Sequence, residues 1–149
     1  MSRQMSAEEI RTFLGAGTRT GKLATVRADG RPHIAPIWFV LDESADNEWG
    51  FDVILNTGVQ TVKGRNLRRD GQVALTVDDE RPPFAFVVIE GVADLSEDLD
   101  AMLTWSTRIG GRYMGADQAE TFGTRNAVPG EYLVRIRPTK VVAEAGVAD

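Results

Sequence analysis

The chain has 149 residues, with 17 Lys and Arg against 22 Asp and Glu, a formal net charge of −5, and no cysteine. This length fits one domain, able to bury roughly 70% of its unfolded surface. The missing cysteines exclude disulfides and Cys-based zinc sites, the acidic balance argues against duplex nucleic acid as a partner, and no apolar run is long enough to span a bilayer.

Taken in order, Ser6 followed by Glu8 and Glu9 predicts a capped helix over Ser6 to Leu14, stopped by Gly15 and Gly17. The same polar start lacks the apolar stretch of a secretion signal, so a cytoplasmic protein is expected. Lys22 to Arg27 reads as a strand, and Asp29-Gly30 as a hairpin turn into Pro32 to Leu41. In that second strand Ile34, Pro36, Trp38 and Val40 alternate with His33, Ala35, Ile37 and Phe39. Both faces are largely apolar, which predicts a strand between two layers. Trp49 to Leu55 is the next strand, feeding a basic helix over Val59 to Arg69 that Asp70-Gly71 ends. Gln72 to Val77 is a strand, Pro82-Pro83 breaks the chain, and Phe84 to Leu95 is a long strand. Ser96 before Glu97 and Asp98 reads as the cap of a helix through Leu99, Met102, Leu103 and Trp105, which Gly110-Gly111 and Gly115 interrupt. A short helix over Ala116 to Phe122 and a strand over Tyr132 to Val142 complete the chain. About six strands joined by short turns, with two or three helices between them, predict a mainly β single domain, a small closed barrel with helical insertions.

The most telling segment is the strand end at Leu55, Asn56 and Thr57 that opens onto Lys63, Gly64, Arg65 and Asn66. Free backbone N–H groups and the positive end of a helix dipole suit a phosphate there. Thr57 and Thr61 add hydroxyl donors, and Lys63 and Arg65 add charge. At about 100° per residue, however, Lys63 and Arg65 point some 200° apart, so they meet one phosphate only at the helix start. Asn66 shares a stripe with Val62 and is expected to be buried and bonded to backbone. Arg68 and Arg69 fall in the last turn, where cations offset the dipole. Elsewhere, His33 is the single histidine, with a structural or surface role expected, and Trp38 reads as core. Glu90 should face water, a subunit boundary or a basic partner. Arg112 and Tyr113, beside glycines, read as the flexible wall of a groove. No nucleophile–base set or metal-ligand set is present, so for an enzyme the reactive atoms would come with a cofactor.

Gly21-Lys-Leu-Ala-Thr25, Asp29-Gly-Arg-Pro-His33 with Pro36 and Trp38, Lys63 through Asp70, and Ile89-Glu-Gly-Val-Ala93 together resemble the pyridoxamine-phosphate-oxidase-like split β-barrel superfamily. Arg112-Tyr-Met-Gly115 and Pro129 through Lys140 are most similar to its actinobacterial branch that uses the deazaflavin coenzyme F-420. The resemblance implies a homodimer with cofactor at the subunit interface. It also implies a phosphate held by Thr57, Lys63, Arg65 and Asn66, and a ring lined by Pro36, Trp38, Leu55 and Asn56. The partner chain would contribute from around Trp105 to Tyr113. Gly64 stands where relatives commonly carry a side chain, which would loosen the helix start. The implied activity is F-420-dependent reduction of a small electron acceptor, an activated alkene or a quinone-like molecule. FMN chemistry on the same fold, or non-catalytic cofactor storage, are the alternatives.

Overall fold

The computed structural model describes residues Met1–Asp149. Eight strands form one antiparallel sheet: β1 (Arg3–Gln4), β2 (Gly21–Val26), β3 (Pro32–Ile37), β4 (Val40–Asp42), β5 (Asp52–Gly58), β6 (Gln72–Asp79), β7 (Ala85–Ser96) and β8 (Glu131–Ala145). Four α-helices accompany them: α1 (Ala7–Gly15), α2 (Val62–Arg69), α3 (Leu99–Met114) and α4 (Ala119–Asn126), the last preceded by a 3-10 turn at Ala116–Gln118. Across the sheet the order is β3-β2-β6-β7-β8-β5-β4, with β1 added to the end of β8.

The two ends of that path, β3 and β4, are separated in the chain only by Trp38 and Phe39. Two residues reach about 7 Å, whereas a flat sheet of this width would need several strand spacings of about 4.8 Å each. The sheet therefore curls until its edges meet, giving a mainly β barrel split at the β3/β4 seam. No helix is long and apolar enough to cross a membrane.

Local chemistry explains most of the boundaries. Ser6 and Glu9 form a reciprocal capping box at the start of α1. Gly30, at φ 87°, makes the turn that pairs β2 with β3 from Val26↔Pro32 to Gly21↔Ile37. The buried side chains Leu14, Leu23, Phe39, Phe51, Leu55, Leu75, Ile89 and Ile136 fill the barrel. A second, smaller cluster of Ile54, Met102 and Leu133 seats α3 on the outside of β5 and β8. Arg135 on β8 bonds Asp42 at 2.7 Å and Asp52 at 3.0 Å, tying β4, β5 and β8 together. Burial pushes the Asp42 carboxyl up, but the Ser44 hydroxyl and Arg135 outweigh it and hold that group below the usual carboxylate range.

Several sequence expectations change. The Pro32–Leu41 strand does not lie between two layers: Pro32, Ile34 and Pro36 face outward, with Ile34 66% exposed. It also breaks at Trp38, because the chain leaves the ladder there to cross the seam. The basic helix begins at Val62, capped by Thr61, and ends at Asp70 in extended backbone without a left-handed glycine. Asp98, not Ser96, caps α3, its carboxylate accepting from the amides of Asp100 and Ala101. Finally, α3 runs unbroken through Gly110-Gly111. A Cβ on Gly110 would lie 2.6 Å from the Phe122 Cβ, so that glycine is there to let α4 pack closely.

Candidate functional site

At the end of β5 the chain turns from Gly58 to Thr61 and enters α2. The Thr61 hydroxyl accepts from the Gly64 amide at 3.0 Å and donates to the Gly58 carbonyl at 2.8 Å. With that proton committed, the Thr57 hydroxyl, 3.2 Å away, becomes the donor to Thr61. A side chain at Gly64 would run into the Gly58 carbonyl, so glycine tightens the junction rather than loosening it. The start of α2 is thus pinned to the end of β5. Both threonine protons are spent on that pin, leaving the Lys63 ammonium and the first amides of α2 as the uncommitted donors.

Lys63, half-buried and without a hydrogen bond or ion pair, lines a cavity of about 380 Å³. On one side lie Pro36, Ile37 and Trp38 from the seam, and along the floor Asn56, Thr57 and Gly58 from β5. Ile109 of α3, Phe122 and Asn126 of α4, and Glu131 of β8 close it. The Asn56 side-chain amide donates to the Tyr132 carbonyl at 3.2 Å, which fixes its orientation.

Of the eight residues singled out from sequence, Pro36, Trp38, Asn56, Thr57 and Lys63 therefore come together. Leu55 is fully buried in the barrel core. Asn66 is buried but bonded to side chains rather than backbone, donating to Thr25 Oγ1 at 3.0 Å and accepting from Arg69 at 3.0 Å. Arg65 lies on the other side of α2, in a cleft of about 390 Å³ with Arg27, Arg31 and Arg69. Lys63 and Arg65 diverge as their spacing on the helix requires.

The opposite end of the cavity is aromatic. The Trp38 indole is 39% exposed, not core, and Tyr113 stacks on it at 4.9 Å with an interplanar angle of 2°. The Tyr113 hydroxyl donates to the Arg19 carbonyl at 2.8 Å and accepts from the Phe39 amide at 3.3 Å. Burial pushes this phenol up, so it stays neutral. Arg112 reaches the carbonyls of Leu14 and Phe39 at 2.7 Å each, Gly17 at 3.0 Å and Ala16 at 3.4 Å. These two residues staple the crossing at Phe39 to the segment from Leu14 to Arg19, and are not a flexible wall. His33, half-buried on β3, has a buried Nδ1 without a partner, and Glu90 is exposed beside Lys140 at 3.9 Å.

Phe122, Asn126 and Glu131 were not legible as cavity residues, whereas Ile109 lies in the Trp105 to Tyr113 stretch expected from a partner chain and here lines the cavity from the same chain. Gly110, Gly111 and Gly123 signal a close helix crossing, but not that the crossing stands over Trp38. A polar end with a free ammonium at a helix start, next to an apolar and aromatic wall, suits a ligand that joins a phosphate to a flat ring.

Among solved structures, a conserved hypothetical protein from Mycobacterium tuberculosis is 27% identical, with TM-score 0.80, covering 95% of this chain and 86% of that one. An F-420 reductase is 25% identical, with TM-score 0.64, covering 87% and 94%. The heme storage protein HutZ of Vibrio cholerae shares the fold at 21% identity and TM-score 0.70, covering 97% and 100%. The family model described as pyridoxamine 5'-phosphate oxidase matches residues 6–143. With nearly its whole length matched by that model and a split barrel of the same architecture, the chain belongs to the pyridoxamine 5'-phosphate oxidase family.

Proposed function

We propose that this protein is an oxidoreductase that binds coenzyme F-420 in the cavity between the seam, β5 and α2. The observation that carries the reading is the free Lys63 ammonium at the pinned start of α2, beside Asn56 and Thr57 and facing the apolar wall of Pro36, Ile37 and Trp38. The likeness to an F-420 reductase favours the deazaflavin over FMN. When bound and reduced, F-420 supplies a hydride to an activated alkene or quinone-like acceptor.

The chain's own residues do the positioning. Lys63 neutralises the phosphate, and the first amides of α2 add donors whose direction is fixed by the Thr61 cap. Asn56, held by the Tyr132 carbonyl, sets the depth of the ring, and the wall from Pro36 to Trp38 excludes water from one side of it. Neutral walls around the ring leave the acceptor's proton to come from water. A second copy of the chain covers the outward face of β3, where Ile34 would otherwise leave an apolar stripe in solvent. The cofactor then lies at the boundary of a homodimer.

Titrating the purified protein with F-420 and with FMN, followed by fluorescence, tests the reading. Tight F-420 binding and oxidation of the reduced complex by a quinone are expected. Failure of both cofactors to bind at micromolar concentration would sink it. Binding without turnover of any acceptor would leave a storage protein. Sedimentation of Ile34→Glu against the parent chain tests the dimer, with a monomer expected for the variant.

A further inference from the structure

One acid lines the cavity, and it is unpaired. Glu131 opens β8 directly across from Gly58 of β5. Its Oε2 lies 3.0 Å from the point a Cβ on Gly58 would occupy, a point that is also 3.3 Å from the Thr61 Cγ2. The carboxylate therefore sits at the same strand end and helix cap that form the polar end of the cavity. It is half-buried and makes neither a hydrogen bond nor an ion pair, even though Lys63 lines the same space. Burial pushes its carboxyl above the usual value.

The elements around it offer little compensation. β5 presents Asn56, Thr57 and Gly58, α3 presents Ile109, and α4 presents Phe122 and Asn126, all neutral. Lys63 on α2 is the one other charged group in the lining. A phosphate entering here meets a cation and an anion together. Two anions a few ångströms apart in a partly desolvated space repel strongly, and the weaker acid of the pair takes up a proton.

We propose that Glu131 makes the polar end of this cavity a proton-coupled anion site: a phosphate-bearing ligand enters together with one proton, which neutralises the Glu131 carboxyl. The inference rests on the reading that a phosphate-bearing ring cofactor occupies the cavity. The proton comes from solvent and joins one carboxylate oxygen, and the resulting O–H becomes a donor towards the bound phosphate. The sign follows from linkage. Protonated Glu131 binds the anion better, so affinity falls as pH rises through the Glu131 titration, and bound anion raises that titration in return. Release of the ligand is favoured by alkali and capture by acid.

The test compares the full chain with Glu131→Gln, which keeps the shape and removes the charge. F-420, FMN and riboflavin are the probes, each titrated by fluorescence from pH 5 to pH 8.5. The phosphate of FMN has its own titration near pH 6 in both proteins, so the difference between them isolates Glu131. Glu131→Gln should bind F-420 or FMN about tenfold more tightly at pH 8, with the gap closing towards pH 5. Riboflavin, which lacks the phosphate, should bind the two proteins equally. Parallel pH profiles with no tightening of the phosphate-bearing probes would overturn the proposal while leaving the cofactor reading intact. So would an equal gain for riboflavin, since the effect would then belong to the ring. If neither F-420 nor FMN binds either protein at any pH, both the cofactor reading and this proposal fall. Thermal unfolding of the variant near that of the parent is expected, because the carboxylate holds nothing in place.

Discussion

The two ends of the cavity treat their polar groups in opposite ways. At the seam, Arg112 spends its guanidinium on four backbone carbonyls and Tyr113 uses its hydroxyl both to donate and to accept. At the start of α2, Lys63 and Glu131 hold no partner at all. Arg112, Tyr113, Lys63 and Glu131 are all half-buried, so burial does not distinguish the two groups. What differs is whether the bonding capacity is already used. Used groups fix the chain where it crosses between the two edge strands. Unused ones remain available to a ligand, at the cost of leaving charge partly desolvated.

That contrast can be broken most directly at Arg112. Arg112→Ala should cost about 3 kcal/mol, since it leaves the half-buried carbonyls of Leu14 and Phe39 short of a donor and frees those of Ala16 and Gly17. At this chain length the melting temperature should fall by roughly 6–12 °C. A loss within the scatter of ordinary surface substitutions would mean that the seam does not depend on its staple.

Gly64→Ala should follow, at about 2 kcal/mol, because its methyl group would meet the Gly58 carbonyl and push α2 from β5. Gly15→Ala, with open space around it, is the control, and denaturant titration should find it neutral or slightly stabilising. Equal effects at both glycines would show that the helix junction is not tight.

The two faces of α2 sharpen the contrast further. Lys63→Ala should weaken F-420 or FMN binding about tenfold, whereas Arg65→Ala should change it less than about twofold. Equal losses would mean that one ligand reaches around the helix to both clefts.

The smallest effect concerns acid. Asp79 is held down to about 2 by the Arg81 side chain, then by the Arg81 amide and the nearby Arg19. The folded value lies below the ordinary 3.8, so its contribution to stability is present above about pH 4 and lost as pH falls from 4 towards 2. Arg19 bonds Asp79 at 3.2 Å, and its carbonyl receives the Tyr113 hydroxyl, so this loss should loosen the seam end first. Tryptophan fluorescence followed through acid titration should show an early change that Asp79→Asn removes. Identical acid profiles for both proteins would detach Asp79 from the seam.

Much of this was written locally. The Ser6 cap of α1, the Asp29-Gly30 hairpin, the strand feeding a basic helix, and the long closing strand all appear close to their expected places. Each depends on residues within a few positions of one another. The angle between Lys63 and Arg65 was also legible, being a property of helix geometry alone. Errors fell where a residue's neighbours are distant in sequence. A glycine pair at Gly110-Gly111 fits a helix break as well as a close crossing, and only the packing of Phe122 against it decides between them. Trp38 looked like core because its apolar neighbours suggest burial, while the seam that half exposes it exists only once the sheet has curled.

The sequence by itself determined the elements, the acidic background and the basic helix start, because periodicity, caps and turn residues act over a turn or a strand. Only the tertiary structure decided which of those residues share one cavity. Curling of the sheet brings β3 to β4, and close packing of α3 and α4 walls off the space above β5. Pairing of β8 with β5 then sets Glu131 opposite Gly58, beside the Thr61 cap. Those placements are set by long-range strand pairing and packing, which spacing along a chain does not encode.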